Sequence, residues 1–174
     1  GVAELNGDDF ITATQWWYGN DLWIAGTIQH ELGHNLNLSH GGDDETNYKP
    51  NYNSVMNYNY QFPGVDNNCT PVPDGVVDYS HGTNLTLDES NLDETVGMCA
   101  GGGTSWDWDQ DTVLEIGIEA NIRWNWNETP RKSVDDTLIG EVLSDYDDWS
   151  NLSYSGIGDL NGAGFTGPRP VIRC

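Results

Sequence analysis

His30-Glu31-Leu32-Gly33-His34-Asn35-Leu36-Asn37-Leu38-Ser39-His40 is the stretch on which the reading of this 174-residue chain turns. His30 and His34 stand four apart, so on a helix they project from one face about one turn apart. Two imidazoles so placed suit one tetrahedral zinc, with Glu31 beside them as a candidate general base. His40 arrives six residues later and can complete a three-histidine set if the helix ends abruptly after Leu36. Such a bend calls for a left-handed backbone, which glycine supplies best and asparagine next. Asn37 stands at that point.

Ser54-Val55-Met56-Asn57-Tyr58 follows as a second signature. With both in hand the chain resembles the metzincin zinc peptidases, whose pattern is H-E-x-x-H-x-x-G-x-x-H followed by a methionine turn. Asn37 replaces the family's usual glycine, a conservative departure because asparagine tolerates the same backbone. The resemblance is tight from Gly26 to Tyr58 and loose elsewhere. It implies an α+β fold of metzincin type, with an active-site helix, a Met-turn and an irregular C-terminal subdomain. It also implies zinc on His30, His34 and His40, with Met56 beneath them. Glu31 would take the proton of a zinc-bound water as it attacks the scissile carbonyl. The Met-x-Tyr form is similar to the astacin and serralysin branches, which makes Tyr58 a zinc ligand or a donor to the reaction intermediate. Residues Asn59 to Pro63 fall where the family places the wall of its S1′ pocket.

Composition narrows the setting. With 28 acidic and 6 basic residues the net charge is -22. Such a field repels nucleic acid and anionic membranes, which are discounted as partners. It suits a protein of high-salt surroundings, where screening relieves the self-repulsion, or one loaded with calcium. Only two lysines occur, Lys49 and Lys132, which favours the first. No stretch is long and apolar enough for a membrane helix. The start at Gly1 reads as a processed protein or a fragment. Of three cysteines, Cys69 and Cys99 form the natural disulfide pair, worth about 3–4 kcal/mol, and Cys174 is left free or joined to another chain. Sequons begin at Asn68, Asn84, Asn127 and Asn151. These signs point to an extracellular protein.

Along the chain, Phe10 to Thr14 reads as the edge strand that pairs with extended substrate. Ile24, Ala25, Ile28, Leu32 and Leu36 recur at helical spacing, giving a helix from about Trp23 to Asn35, capped by Asn20 or Asp21. Metzincins carry several strands and a helix before the edge strand, and there is no room for them here. The fold is therefore expected to lack or be separated from much of the usual N-terminal sheet, with an upstream segment or another chain completing it, the alternative being a reduced version of the fold. Gly41 to Asn47 reads as a calcium loop or, equally, a solvated one. Asp74-Gly75 reads as a turn, Asp88 to Val96 and Asp135 to Leu143 as helices, and His81 as a bystander. Tyr146 and Trp149 would pack on the second of these helices. Asp107, Asp109 and Asp111 alternate as a calcium loop could use them, though not as an EF-hand, with a solvated acidic loop as the alternative. Asp159-Leu160-Asn161-Gly162 echoes them weakly.

All of it fits one domain over 1–174, with edge strand, helix and Met-turn in 1–62 and the C-terminal subdomain in 63–174. The expected function is a secreted zinc endopeptidase acting on peptides or proteins. The alternative is a non-catalytic zinc- or calcium-binding structural or adhesion component of an extracellular assembly.

Overall fold

The computed structural model describes residues 1–17, 19–69, 73–125, 132–133, 140–154 and 171–173. Its strands are short: β1 (Val2–Glu4), β2 (Phe10–Ile11), β3 (Leu87–Asp88), β4 (Leu92–Asp93), β5 (Ile116–Ile118), β6 (Trp124–Asn125), β7 (Lys132–Ser133), β8 (Val142–Leu143) and β9 (Val171–Arg173). One long helix, α1 (Asp21–Asn35), is joined late in the chain by a single turn, α2 (Asp148–Asn151). Three strands form an antiparallel sheet ordered β2-β1-β9, and the others pair two by two as β3-β8, β4-β5 and β6-β7. β2 lies at an edge, as expected, but it holds only Phe10 and Ile11 and not the full run to Thr14.

Helix α1 starts two residues before Trp23, because the Asn20 side chain accepts the Trp23 N–H and caps the first turn. Its end is set by Asn37 at φ 73°. The Leu38 N–H reaches Gly33 O at 2.9 Å and the Asn37 N–H reaches His34 O at 3.0 Å. This paired closure is the Schellman arrangement, and it satisfies carbonyls that the helix end would leave bare. Asn35 ties the helix to the sheet, its side-chain amide donating to Glu4 O at 2.9 Å and Asp9 O at 3.0 Å.

The helix turns the opposite way from the one its apolar repeat suggests. Its buried residues are Gly26, Thr27, His30, Glu31, Gly33, His34 and Asn35. Ile28 and Leu32 remain 43% and 41% exposed, along an open groove of about 510 Å³ shared with Tyr79, Trp149 and Leu152. Close packing explains the inversion. A Cβ on Gly33 would stand 2.2 Å from Met56 Sδ, and one on Gly26 would stand 2.0 Å from Gln61 O. The two glycines are two turns apart on one face, so the segment from Met56 to Gln61 lies directly on the helix backbone.

Two cores follow. One gathers Leu38, Tyr52, Val55, Met56, Tyr60, Val65 and Tyr79 beneath the helix, so it draws on residues beyond 62. The other gathers Leu87, Leu92, Met98, Trp108, Ile122 and Leu143 around the Cys69–Cys99 disulfide. Asp88 to Val96 is not the expected helix. It is two copies of Leu-Asp-Glu in which each Leu is buried and each Asp closes a turn on the next hydroxyl residue, Ser90 or Thr95. An aspartate that caps its own turn competes with helical bonding. Glu89 then accepts the Ile122 and Glu141 N–H groups, and Glu94 those of Trp108 and Glu115.

The expected second helix also fails at its end, since Val142–Leu143 is strand β8, paired with β3. Residues 135–139 lie outside the described residues. Tyr146 and Trp149 therefore pack elsewhere, Tyr146 on the Met56 core and Trp149 edge-on to Tyr79 at 5.5 Å. Cys174, the Asn127 sequon and Asp159 to Gly162 also lie outside the described residues.

Gly26→Ala tests the close packing. It should lower the urea midpoint by about 1–3 kcal/mol of stability or more, because the obstructing atom is a backbone carbonyl. Ile28→Ala on the open face should cost less. A Gly26→Ala protein as stable as the parent would show that the segment can withdraw freely.

Candidate metal centre

The single bend at Asn37 and the packing of Met56 on Gly33 together fix the histidines. His30 Nδ1 lies 2.7 Å from Val55 O, in the turn that carries Met56. His34 Nδ1 lies 2.7 Å from Leu38 O, just past the bend. A carbonyl only accepts, so both Nδ1 atoms carry the proton and both Nε2 atoms present lone pairs. Those two Nε2 atoms face each other at 3.2 Å. His40 completes the group, and one ring nitrogen from each residue lies within 4.8 Å of the others.

All three imidazoles are biased toward the neutral form that binds metal. Burial first, then the neighbouring His34 charge, holds His30 well below the ordinary imidazole range. Burial brings His34 down to about 4. Burial also lowers His40, while Glu45 pulls it the other way. Two buried lone pairs at 3.2 Å repel unless a cation stands between them. Two nitrogens each about 2.0–2.1 Å from one tetrahedral ion stand roughly 3.3–3.4 Å apart, so the spacing fits such an ion. A set of imidazole donors suits zinc, copper, iron or nickel better than calcium.

Glu31 is fully buried on the helix face that meets β1, with Oε1 3.5 Å from the Gly1 nitrogen. Gly1 also lines a cleft of about 380 Å³ with Trp17, Tyr48, Tyr58, Gln61, Phe62 and Asn125. Tyr58 joins this cleft to the histidines: its ring centroid lies 4.7 Å from that of His40 and 5.7 Å from that of His30. It does not sit beneath the turn, a place taken by the buried Met56. Of the residues expected to form a pocket wall, Gln61 and Phe62 face the cleft, whereas Asn59 and Tyr60 are buried.

Several supports escaped the sequence reading. Asn47 Oδ1 accepts the N–H groups of Tyr48 and Tyr58 and so sets both rings at the cleft. Lys49 is 3% exposed, donates to Gly41 O at 2.6 Å and lies 3.5 Å from the Asp44 carboxylate. The Lys49 ammonium thus bridges Gly41 and Asp44, within the loop from Gly41 to Asn47.

The acidic run at Asp107 divides differently from the expected single set. Asp107 and Asp109 group with the buried Glu94, while Asp109 and Asp111 group with Glu115. Their oxygens accept backbone N–H groups of Asp111, Thr112 and Val113. His81 stands apart from the other histidines, exposed and 3.6 Å from Asp78. Among the described residues no helix is long and apolar enough to cross a membrane. Comparison of the chain with known protein families, with curated proteins and with solved structures found no match.

Beneath the turn, Asp148 accepts the Tyr52 hydroxyl at 2.8 Å and the Ser80 N–H at 3.0 Å. Asp145 accepts the Ser80 hydroxyl and the Asn84 N–H beside it. Burial pushes Asp148 up to about 6 despite its hydrogen bonds from Ser54 and Tyr52. A carboxyl whose folded value is raised binds its proton more tightly when folded, so stability falls as pH rises from about 4 to 6. The full difference is at most about 3 kcal/mol. In metal-free protein, the parent's stability relative to Asp148→Asn should therefore decline over that window. A constant difference in urea midpoint from pH 4 to pH 7 would remove the assignment.

Proposed function

We propose that the protein is a secreted zinc endopeptidase of metzincin type. The observation that carries this is the convergence of His30 and His34 Nε2 with His40, each helical histidine oriented by a backbone carbonyl. His30, His34 and His40 would hold the metal. Bound zinc supplies Lewis acidity toward a peptide carbonyl and toward water.

The chain's own groups supply the rest. Glu31 receives the proton of the attacking water at its carboxylate and returns it to the departing amine. Its burial keeps the carboxylate from competing water, and its neighbour Gly1 borders the cleft. Tyr58, packed against His30 and His40, donates its hydroxyl to the oxygen that becomes negative. The cleft beyond Tyr58 accepts a substrate side chain among Trp17, Tyr48 and Phe62. The short edge strand β2 offers main-chain groups to an extended peptide. An extracellular setting is supported by the Cys69–Cys99 disulfide, and a high-salt one by the net charge of -22.

Peptide cleavage with zinc supplied and then chelated tests the reading against a purely structural metal role. Glu31→Gln should keep the zinc and lose turnover by a factor of about 10² or more. Tyr58→Phe should lose roughly 10²–10³ in turnover with little change in zinc affinity. Turnover equal to the parent in Glu31→Gln would remove Glu31 as the general base, and no cleavage by the zinc-supplied parent would leave a zinc-binding module and no peptidase.

A further inference from the structure

We propose that Glu45 is a positioning residue for His40, holding the third imidazole by a carboxylate where a backbone carbonyl holds each of the other two. The proposal rests on the zinc reading above. His40 Nδ1 lies 3.5 Å from Glu45 Oε2. The other oxygen, Oε1, accepts the Ser39 hydroxyl at 2.8 Å. Glu45 is thus pinned by the residue next to His40 in the chain, and the imidazole and its carboxylate move as one unit. A ligand histidine that gives its second N–H to a carboxylate is fixed in ring orientation and tautomer, and its donor nitrogen is more basic.

The three acids in a row have separate tasks. Asp43 is exposed. Asp44 accepts the Thr46 N–H and lies against the Lys49 ammonium. Glu45 alone of the three lies against His40. Loop closure makes this assignment possible, because the buried Lys49 holds Gly41 O and Asp44 while the Gly41 N–H bonds to Asp44 O at 2.9 Å. His40 therefore owes its place to a loop whose carboxylate is 67% exposed, whereas His30 and His34 are held inside the core. The third ligand is the adjustable one.

The test measures zinc affinity of the whole chain near neutral pH by competition with a chromophoric chelator. Glu45→Gln should weaken binding roughly 10- to 100-fold. Asp43→Asn removes the same charge from the same loop and should stay near the parent value. Ser39→Ala, which frees the carboxylate, should weaken binding by less than Glu45→Gln does. Metal-free Glu45→Gln should unfold at the parent's urea midpoint, since its side chain is exposed. Equal weakening in Glu45→Gln and Asp43→Asn would reduce the effect to net charge and overturn the proposal. An accompanying loss of metal-free stability would assign Glu45 a structural role and overturn it too. Zinc binding that survives His30→Ala would sink the three-histidine reading itself, whereas parent-like binding by Glu45→Gln would sink only the role of Glu45.

Discussion

The absence of a side chain at Gly33 lets the Met56 sulfur rest on the backbone of α1, and most of the site depends on that contact. With the turn seated there, Val55 O comes within 2.7 Å of His30 Nδ1. Gly26 repeats the device two turns earlier, where Gln61 O would overlap any Cβ. Between these points the chain carries Tyr58 past the histidine rings and delivers Gln61 and Phe62 to the cleft. A methyl group at either glycine would lift the whole segment, and His30 would lose its carbonyl before it lost its place in the helix. Packing at two glycines and orientation of the His30 ring are therefore one constraint.

How much of this the sequence could show depends on the range of the interactions involved. The helix, its Asn20 cap and the left-handed Asn37 are local and were legible, because capping and backbone chirality act within a few residues. The grouping of His30, His34 and His40 follows from those local facts. The direction of burial was not legible. Ile28 and Leu32 have the spacing of a core stripe, yet the helix buries His30, Glu31 and His34 with small residues. An apolar repeat says where a helix can be covered, not which neighbour reaches it first. The backbone acceptors Val55 O and Leu38 O have no sequence signal, since any residue supplies a carbonyl. At Asp88 to Val96 the turn-closing bonds from Asp88 and Asp93 displace the expected helix, and nothing in the spacing of the residues announces them.

Histidine chemistry adds a second dependence. Neutral imidazoles are needed for metal binding, and burial alone would make them neutral. Burial, however, does not choose which nitrogen keeps the proton. That choice is made by Val55 O and Leu38 O, which are themselves positioned by the turn and by the bend. The fold thus decides tautomer through backbone placement for His30 and His34. For His40 the nearest charged acceptor is a side chain on a loop, Glu45, so the same decision is open there to a single substitution.

The acidity of the chain has a structural side. Glu89 and Glu94 are buried and each accepts backbone N–H groups from distant segments. Asp44, Asp66, Asp88, Asp93, Asp107, Asp111 and Asp147 each receive a backbone N–H from a residue a few positions on, and Asp74 receives one from Asn67. In a fold whose strands are two or three residues long, ladder bonding leaves many N–H groups unsatisfied, and carboxylates fill that need. At Asp88 and Asp147 the hydrogen bonds from Ser90 and Ser150 hold the carboxyl below its usual range and favour the charged form. The acidity of the chain is therefore in part a consequence of its turns, because the carboxylates satisfy the backbone.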